Sequence, residues 1–245
     1  MLKREDIACY AYRYEGNWNR IEQAVNTNEP PLSYDIRERY ITVLDDLYPD
    51  CLRQLQNPPW ILFYRGNIAL LKEPMVTIVG SRSLTQYGTW LTKRCADILK
   101  ERYVLVSGLA KGADACVHQC ALSHGHTIGV IGSGFSRTYP SVNRDLYAAM
   151  ARDHLILSEY PYPAGVRKEH FPWRNRILAA LGSRLIVTQA ALHSGTMITV
   201  NEALQLGRDI YCFPWPYEDA CGAGCDRLIQ EGAMVLYKEE QIRAL

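Results

Sequence analysis

The chain has 245 residues, 27 lysines and arginines against 26 aspartates and glutamates, eight cysteines and 48% hydrophobic residues. That length allows one large domain, or one with a short appendage, and supports a buried core without staples. The apolar fraction excludes a mainly disordered chain, and a net charge of +1 excludes a polybasic tail protein while leaving room for one basic face. No run approaches the roughly eighteen apolar residues of a membrane span. Charge at Lys3-Arg-Glu-Asp6 precedes any signal-like stretch, so a cytoplasmic protein without membrane contact is expected. Cys116/Cys120 around His118, and Cys221/Cys225, lack the paired knuckles of a zinc site, so reduced thiols and no metal are expected.

In chain order, residues 1–38 are mixed polar and aromatic with a break at Asn28-Glu-Pro-Pro31, and predict a short helical N-terminal appendage. Residues 39–245 predict the main domain, entered through a turn-rich lead-in marked by Leu47-Tyr-Pro-Asp50, Asn57-Pro-Pro59 and Arg65-Gly-Asn67. From Met75 the pattern alternates strands (75–80, 104–107, 127–132, 155–158, 185–188, 210–213) with helices (86–100, 113–123, 143–151, 171–181, 196–206). Strands apolar on both faces and alternating with helices predict a doubly wound, mostly parallel α/β sheet. Apolar bands between Gly207 and Leu236 are expected to cover a sheet edge or to join two subunits.

In such a sheet the ligand crevice lies beyond the carboxyl ends of the strands. The sequence there reads Gly80-Ser81-Arg82, Ser107-Gly108-Leu-Ala-Lys111-Gly112, Gly132-Ser-Gly134 and Ser194-Gly195-Thr196. Glycines admit a phosphate to the main chain, hydroxyls donate to it, and helix N-termini add free N–H groups. With Arg82 and Lys111 these loops predict an anion-binding rim. They do not spell a nucleotide signature: no GxxxxGK[ST] occurs, and Arg137 stands where GxGxxG needs its third glycine. A redox enzyme and a dinucleotide cofactor are therefore not expected.

The stretch 164–184 carries Arg167, Lys168, Arg174, Arg176 and Arg184 against Glu169 alone, with Phe171 and Trp173 among the cations. Guanidinium and ammonium groups track phosphates while bases stack on exposed rings, which suits single-stranded nucleic acid. Helix geometry restrains that reading. With Pro172 in a first turn, Arg174, Asn175 and Arg176 fall about 100° apart, so they cannot all face one ligand and at least one anchors a neighbouring loop.

Gly80-Ser-Arg82, Ser107-Gly-Leu-Ala-Lys-Gly-Ala-Asp114 with His118, Gly132-Ser-Gly134 with Tyr139-Pro140 and Asn143, Ser158-Glu-Tyr160, Phe171-Pro-Trp-Arg-Asn-Arg-Ile177 and Ser194-Gly-Thr-Met-Ile-Thr199 follow in this order. Together they resemble the DNA-processing protein A (DprA/Smf) family from about Leu44 onward. The resemblance implies an extended Rossmann-like fold with no catalytic residue and no cofactor. It implies a single-stranded DNA-binding homodimer that protects incoming DNA and loads a RecA-type recombinase in natural transformation. By the same resemblance Gly80, Ser81 and Arg82 hold phosphate, Ser107, Gly108, Lys111 and Gly132 line the pocket, and Lys168 with Phe171 binds phosphate and stacks a base. Arg174, Asn175, Arg176, Ser194, Gly195 and Thr196 complete the set, while Asp114 and His118 are expected to anchor loops. Ala113, Gln189 and Pro214-Trp215-Pro216 depart from the family pattern. A core without the winged-helix extension of many relatives is expected.

Two other functions compete. A LOG-like phosphoribohydrolase shares a related fold, but Ser194-Gly-Thr-Met-Ile-Thr199 lacks the paired glycines and the glutamate of its PGGxGTxxE block. A small-nucleotide sensor using the same rim is the other.

Overall fold

A computed structural model describes residues 2–245; Met1, the first residue of the expected appendage, lies outside them. The elements are α1 (Arg4–Arg13), α2 (Trp18–Asn26), β1 (Arg39–Thr42), α3 (Asp50–Arg53), β2 (Ile61–Gly66), β3 (Met75–Val79), α4 (Gln86–Leu99), β4 (Val104–Ser107), α5 (Ala113–Leu122) and β5 (His126–Ile131). They continue with α6 (Arg144–Asp153), β6 (Leu155–Ser158), α7 (His170–Leu181), β7 (Arg184–Val187), α8 (Thr196–Gln205), β8 (Asp209–Cys212), α9 (Ala223–Gln230), β9 (Met234–Val235) and α10 (Glu239–Arg243).

The strands form one sheet in the order β1-β2-β6-β5-β4-β3-β7-β8-β9. From β6 to β9 every neighbour is parallel, whereas β1–β2 and β2–β6 pair antiparallel. The expected α/β fold is therefore present, with an antiparallel extension at one edge that the turn-rich lead-in concealed. Its signal was the apolar run Ile61-Leu-Phe-Tyr64 between Pro59 and Gly66, whose first three residues are fully buried. At the other edge the apolar band after Gly207 supplies β9 and α9, which extend and cover the sheet next to β8.

Helices cover both faces. Leu91, Cys95, Leu99, Val117, Val200 and Leu228 pack with Val76, Ile78 and Ile186 on one, while Ile177, Leu178 and Leu181 of α7 pack with Val104, Val106, Ile128 and Val130 on the other. A third cluster joins Ile7, Tyr10 and Ile21 of the N-terminal helices to Phe63, Leu109, Met150 and Ile156. The first helices thus share a core with β2, α6 and β6. Burial at about 25 cal/mol per Å² of apolar surface is the force that docks them.

Chain order fixes where a ligand can enter. Strands β4, β5 and β6 lie on one side of β3, and β7 lies on the other. Between β3 and β7 the connections therefore diverge and leave a crevice at the strands' carboxyl ends.

Candidate functional site

The crevice opens as a cleft of about 550 Å³ between the β3–α4 and β7–α8 loops, walled by the first turn of α7. Gly80, Arg82, Lys168, Phe171, Asn175, Ser194, Gly195 and Thr196 all line it, as do Tyr139 and Asp114. A smaller recess of about 180 Å³ adjoins it, lined by Gly108, Lys111, Gly132 and Ser133. Arg82, Tyr139 and Phe171 border both, so the two form one trough.

Each wall has a local cause. The β4–α5 loop turns at Gly112, whose φ of 73° and approach to the Ser81 carbonyl, 2.3 Å from any added Cβ, exclude a side chain. Ala113 then donates from its backbone to that carbonyl at 3.0 Å, tying this loop to the Arg82 loop. Asn143 Nδ2 donates to the Leu109 and Ala110 carbonyls at 3.0 and 3.2 Å. The Thr196 hydroxyl donates to Gly80 O at 3.2 Å and so links the β7–α8 loop to the strand end. Gln189, the departure from the family pattern, is buried and clamps the next turn: its Oε1 accepts from Thr85 N–H at 3.0 Å. Ser81 closes its own turn by donating to Ser83 O. A ligand therefore meets loops already braced, which lowers the entropy lost on binding.

Arg82, Lys111 and Lys168 are exposed, and no ion pair among the described residues involves them. The Arg82 guanidinium lies 5.6 Å from the Phe171 ring centroid, and Tyr139 packs at 5.5 Å against the same ring, 44° from parallel. Phe171 rests over Gly132, where an added Cβ would approach Cδ1 to 3.3 Å. One cation lies over a partly exposed ring and two more line the same trough: the arrangement offers phosphate contacts beside a stacking surface. Tyr139 is the residue that site reasoning from sequence passed over, although its Tyr-Pro pair stood in the motif set.

Three expected rim residues lie beneath the rim instead. Ser107 is fully buried and donates to Ile78 O at 2.7 Å. Arg174 is 4% exposed; its Nη1 donates to Gly108 O at 2.6 Å and to Val130 O, which leaves Gly108 no room for a Cβ, 2.7 Å from that guanidinium. Arg174 is thus the floor of the cleft. Arg176 faces away from the cleft altogether: its fork meets Glu159 at 2.6 and 2.8 Å, with side chains 5% and 3% exposed. Asn175, between them, lines the cleft wall above the Arg174 floor, so the three successive positions diverge as 100° spacing requires.

The contiguous basic face read from residues 164–184 is likewise dispersed. Arg184 opens β7 at the sheet's far end and donates to Leu245 O, and Arg167 pairs with Glu15 in the turn between α1 and α2. The charge that remains at the cleft comes from three different loops.

Asp114 and His118 serve the scaffold. Burial pushes the Asp114 carboxyl above the usual carboxylate range, a shift that the Arg174 charge only partly offsets, and the carboxylate accepts from Ala110 N–H at 3.2 Å. His118 is fully buried, with Nδ1 2.7 Å from the Thr127 hydroxyl, which itself donates to Leu105 O. That hydroxyl has one proton, so Nδ1 is the donor to it. Burial holds the ring's pKa down at about 3. Among the described residues no group of three His, Cys, Asp or Glu side chains is placed to hold a metal ion, and no helix is long and apolar enough to cross a membrane.

Known proteins share both sequence and architecture with this chain. The DNA processing protein DprA of Streptococcus pneumoniae is 42% identical over 204 residues, 83% of this chain and 72% of that one. The Bacillus subtilis protein of the same name is 38% identical over 205 residues, 82% of this chain and 69% of its own. The crystal structure of the Streptococcus pneumoniae protein superposes with a TM-score of 0.83 at 34% identity, covering 99% of this chain and 93% of that one. The Helicobacter pylori protein, described for its single-stranded DNA binding mode, gives 0.77 at 29% identity, covering 85% and 95%. The model of the DNA recombination-mediator protein A family matches residues 39–245, and the chain belongs to that family.

Proposed function

We propose that this chain is a recombination mediator that holds single-stranded DNA in the trough at the β3/β7 switch point. The observation that carries the reading is the ring of three unpaired cations, Arg82, Lys111 and Lys168, around Phe171. Phosphates engage the cations and the β7–α8 loop, and one base stacks on Phe171 against Tyr139. Gly80, Gly108, Gly132, Asn175, Ser194, Gly195 and Thr196 shape the walls, while Ser81, Ser107, Arg174 and Arg176 hold them in place. Protection of incoming DNA, hand-over to a RecA-type recombinase and action as a homodimer in the cytoplasm extend the same reading. The family's mediator role and the binding described for the Helicobacter pylori protein support them. Binding and release, with no bond made or broken, is all this role asks of the trough.

Titration of labelled oligothymidine at several salt concentrations, with the mass of the complex measured in parallel, tests it. Saturable binding whose logarithm falls linearly with log salt is expected, with a slope of about −0.7 per phosphate engaged. Absence of binding, or release of free base from nucleoside monophosphates at the same cleft, would overturn the reading in favour of a hydrolase.

A further inference from the structure

Phe171 and Trp173 are two helical positions apart, about 200° around α7, so the helix shows them to opposite sides. Phe171 enters the trough already described. Trp173 enters a separate cleft of about 630 Å³ between the first turn of α7 and the α1–α2 hairpin, with Tyr14, Arg20, Arg167, Glu169 and His170 on its walls. Trp173 also borders a third cleft of about 450 Å³, whose Pro172 and Ile198 are shared with the Phe171 trough. The surface is therefore continuous from Arg82, past Pro172, around the first turn of α7 to Trp173 and Arg20.

The Trp173 ring is prepared for stacking. The Arg176 guanidinium, fixed by both oxygens of Glu159 and by donation to Asn57 O at 3.0 Å, sits 4.2 Å from the indole centroid. One side of the ring is thus already occupied by an immobile planar cation. The partly exposed remainder borders the two clefts. Charge in the Trp173 cleft is nearly balanced: Arg167 pairs with Glu15 and Arg13 with Glu29, leaving Arg20 and Glu169. A neutral, aromatic-lined groove suits a base more than a run of phosphates. Carboxamides of Gln54, Gln56 and Asn57 in the intervening cleft offer donors and acceptors to base edges.

We propose that the groove between the N-terminal hairpin and α7 is a second base-stacking subsite, through which a single strand held at Phe171 continues onto Trp173 with a phosphate at Arg20. The proposal rests on the single-strand reading of the trough. It gives the N-terminal hairpin a role in setting how many nucleotides one chain covers, and gives the buried Arg176–Glu159 pair a positioning role through Trp173.

Strand length separates the two sites. Affinity for an oligothymidine of about six nucleotides is expected to report the Phe171 trough alone, and one of about fifteen to report both. Trp173→Ala is expected to weaken the longer strand by roughly five- to a hundredfold and leave the shorter unchanged. Arg20→Glu, at an exposed unpaired position, guards against a folding artefact and is expected to weaken the longer strand selectively. Equal affinity of the wild-type chain for both lengths, or variants that leave the ratio of the two affinities untouched, would overturn the second subsite. Loss of self-association in these variants without loss of the length dependence would also overturn it, since the groove would then hold protein. Failure of the short strand to bind the wild-type chain would instead sink the trough reading itself.

Discussion

The cations of the trough and those of α7 differ in everything but charge. Arg82, Lys111 and Lys168 stand on loops, exposed and without an ion-pair partner, whereas Arg174 and Arg176 stand on a helix and are buried against fixed carbonyl and carboxylate acceptors. A loop cation keeps its hydration until a phosphate replaces it, so its energy is available to a ligand. A buried guanidinium has lost its hydration at folding and must recover that cost from fixed acceptors, so its energy is committed to the fold. Adjacent residues of one basic stretch thus divide into binding groups and supports according to the turn of the helix.

The sharpest break of this comparison is Arg176→Ala, which strands the Glu159 carboxylate among buried groups. It is expected to cost about 3–5 kcal/mol in urea denaturation. Arg176→Met combined with Glu159→Leu is expected to recover most of that, because no uncompensated charge remains. Phe171→Ala should cost about 1–3 kcal/mol of single-strand affinity while leaving the salt slope and the denaturation midpoint nearly unchanged. Arg82→Ala and Lys168→Ala should each weaken binding by roughly a few-fold to tenfold at low salt and flatten the slope by about 0.7, again without loss of stability. A destabilised Lys168→Ala, or an Arg176→Ala that folds normally and loses only salt slope, would reverse the assignment.

The smallest effect concerns His118. Its folded pKa, near 3, lies below the unfolded value of about 6.5, so its contribution is complete above pH 6.5 and is lost as pH falls toward 3. Between pH 7 and 5.5 this titration removes about 1 kcal/mol of stability. His118→Gln should reduce the pH slope by about one proton. A residual slope is expected from His154 and His170, which burial shifts the same way.

Much of the parallel half was legible. Continuous β-branched runs such as Met75–Val79 can be satisfied only between two helical layers, and glycine-hydroxyl loops at their ends mark the crevice side. The antiparallel edge was not legible, because Arg39–Thr42 is too short and too polar to show alternation, and becomes a strand only by pairing with Ile61–Gly66. Of the expected rim, every loop residue but Ser81 lines the trough and Arg174 forms its floor, while Ser107 and Arg176 do not reach it. Periodicity showed that neighbouring helix positions diverge, but not which of them turns inward. That depends on the Gly108 and Val130 carbonyls and on Glu159, brought to α7 from 66, 44 and 17 residues away.

Sequence alone determined the fold class, the order of loops at the crevice and the residue types able to meet phosphate and base. These follow from local rules: apolar runs must be covered, and glycine, hydroxyl and cationic residues act where a strand ends. Tertiary structure decided the fate of each charge. Whether a guanidinium meets solvent or a fixed carboxylate depends on long-range packing, and only the folded sheet places Arg82, Lys111 and Lys168, from three separate loops, around one aromatic ring.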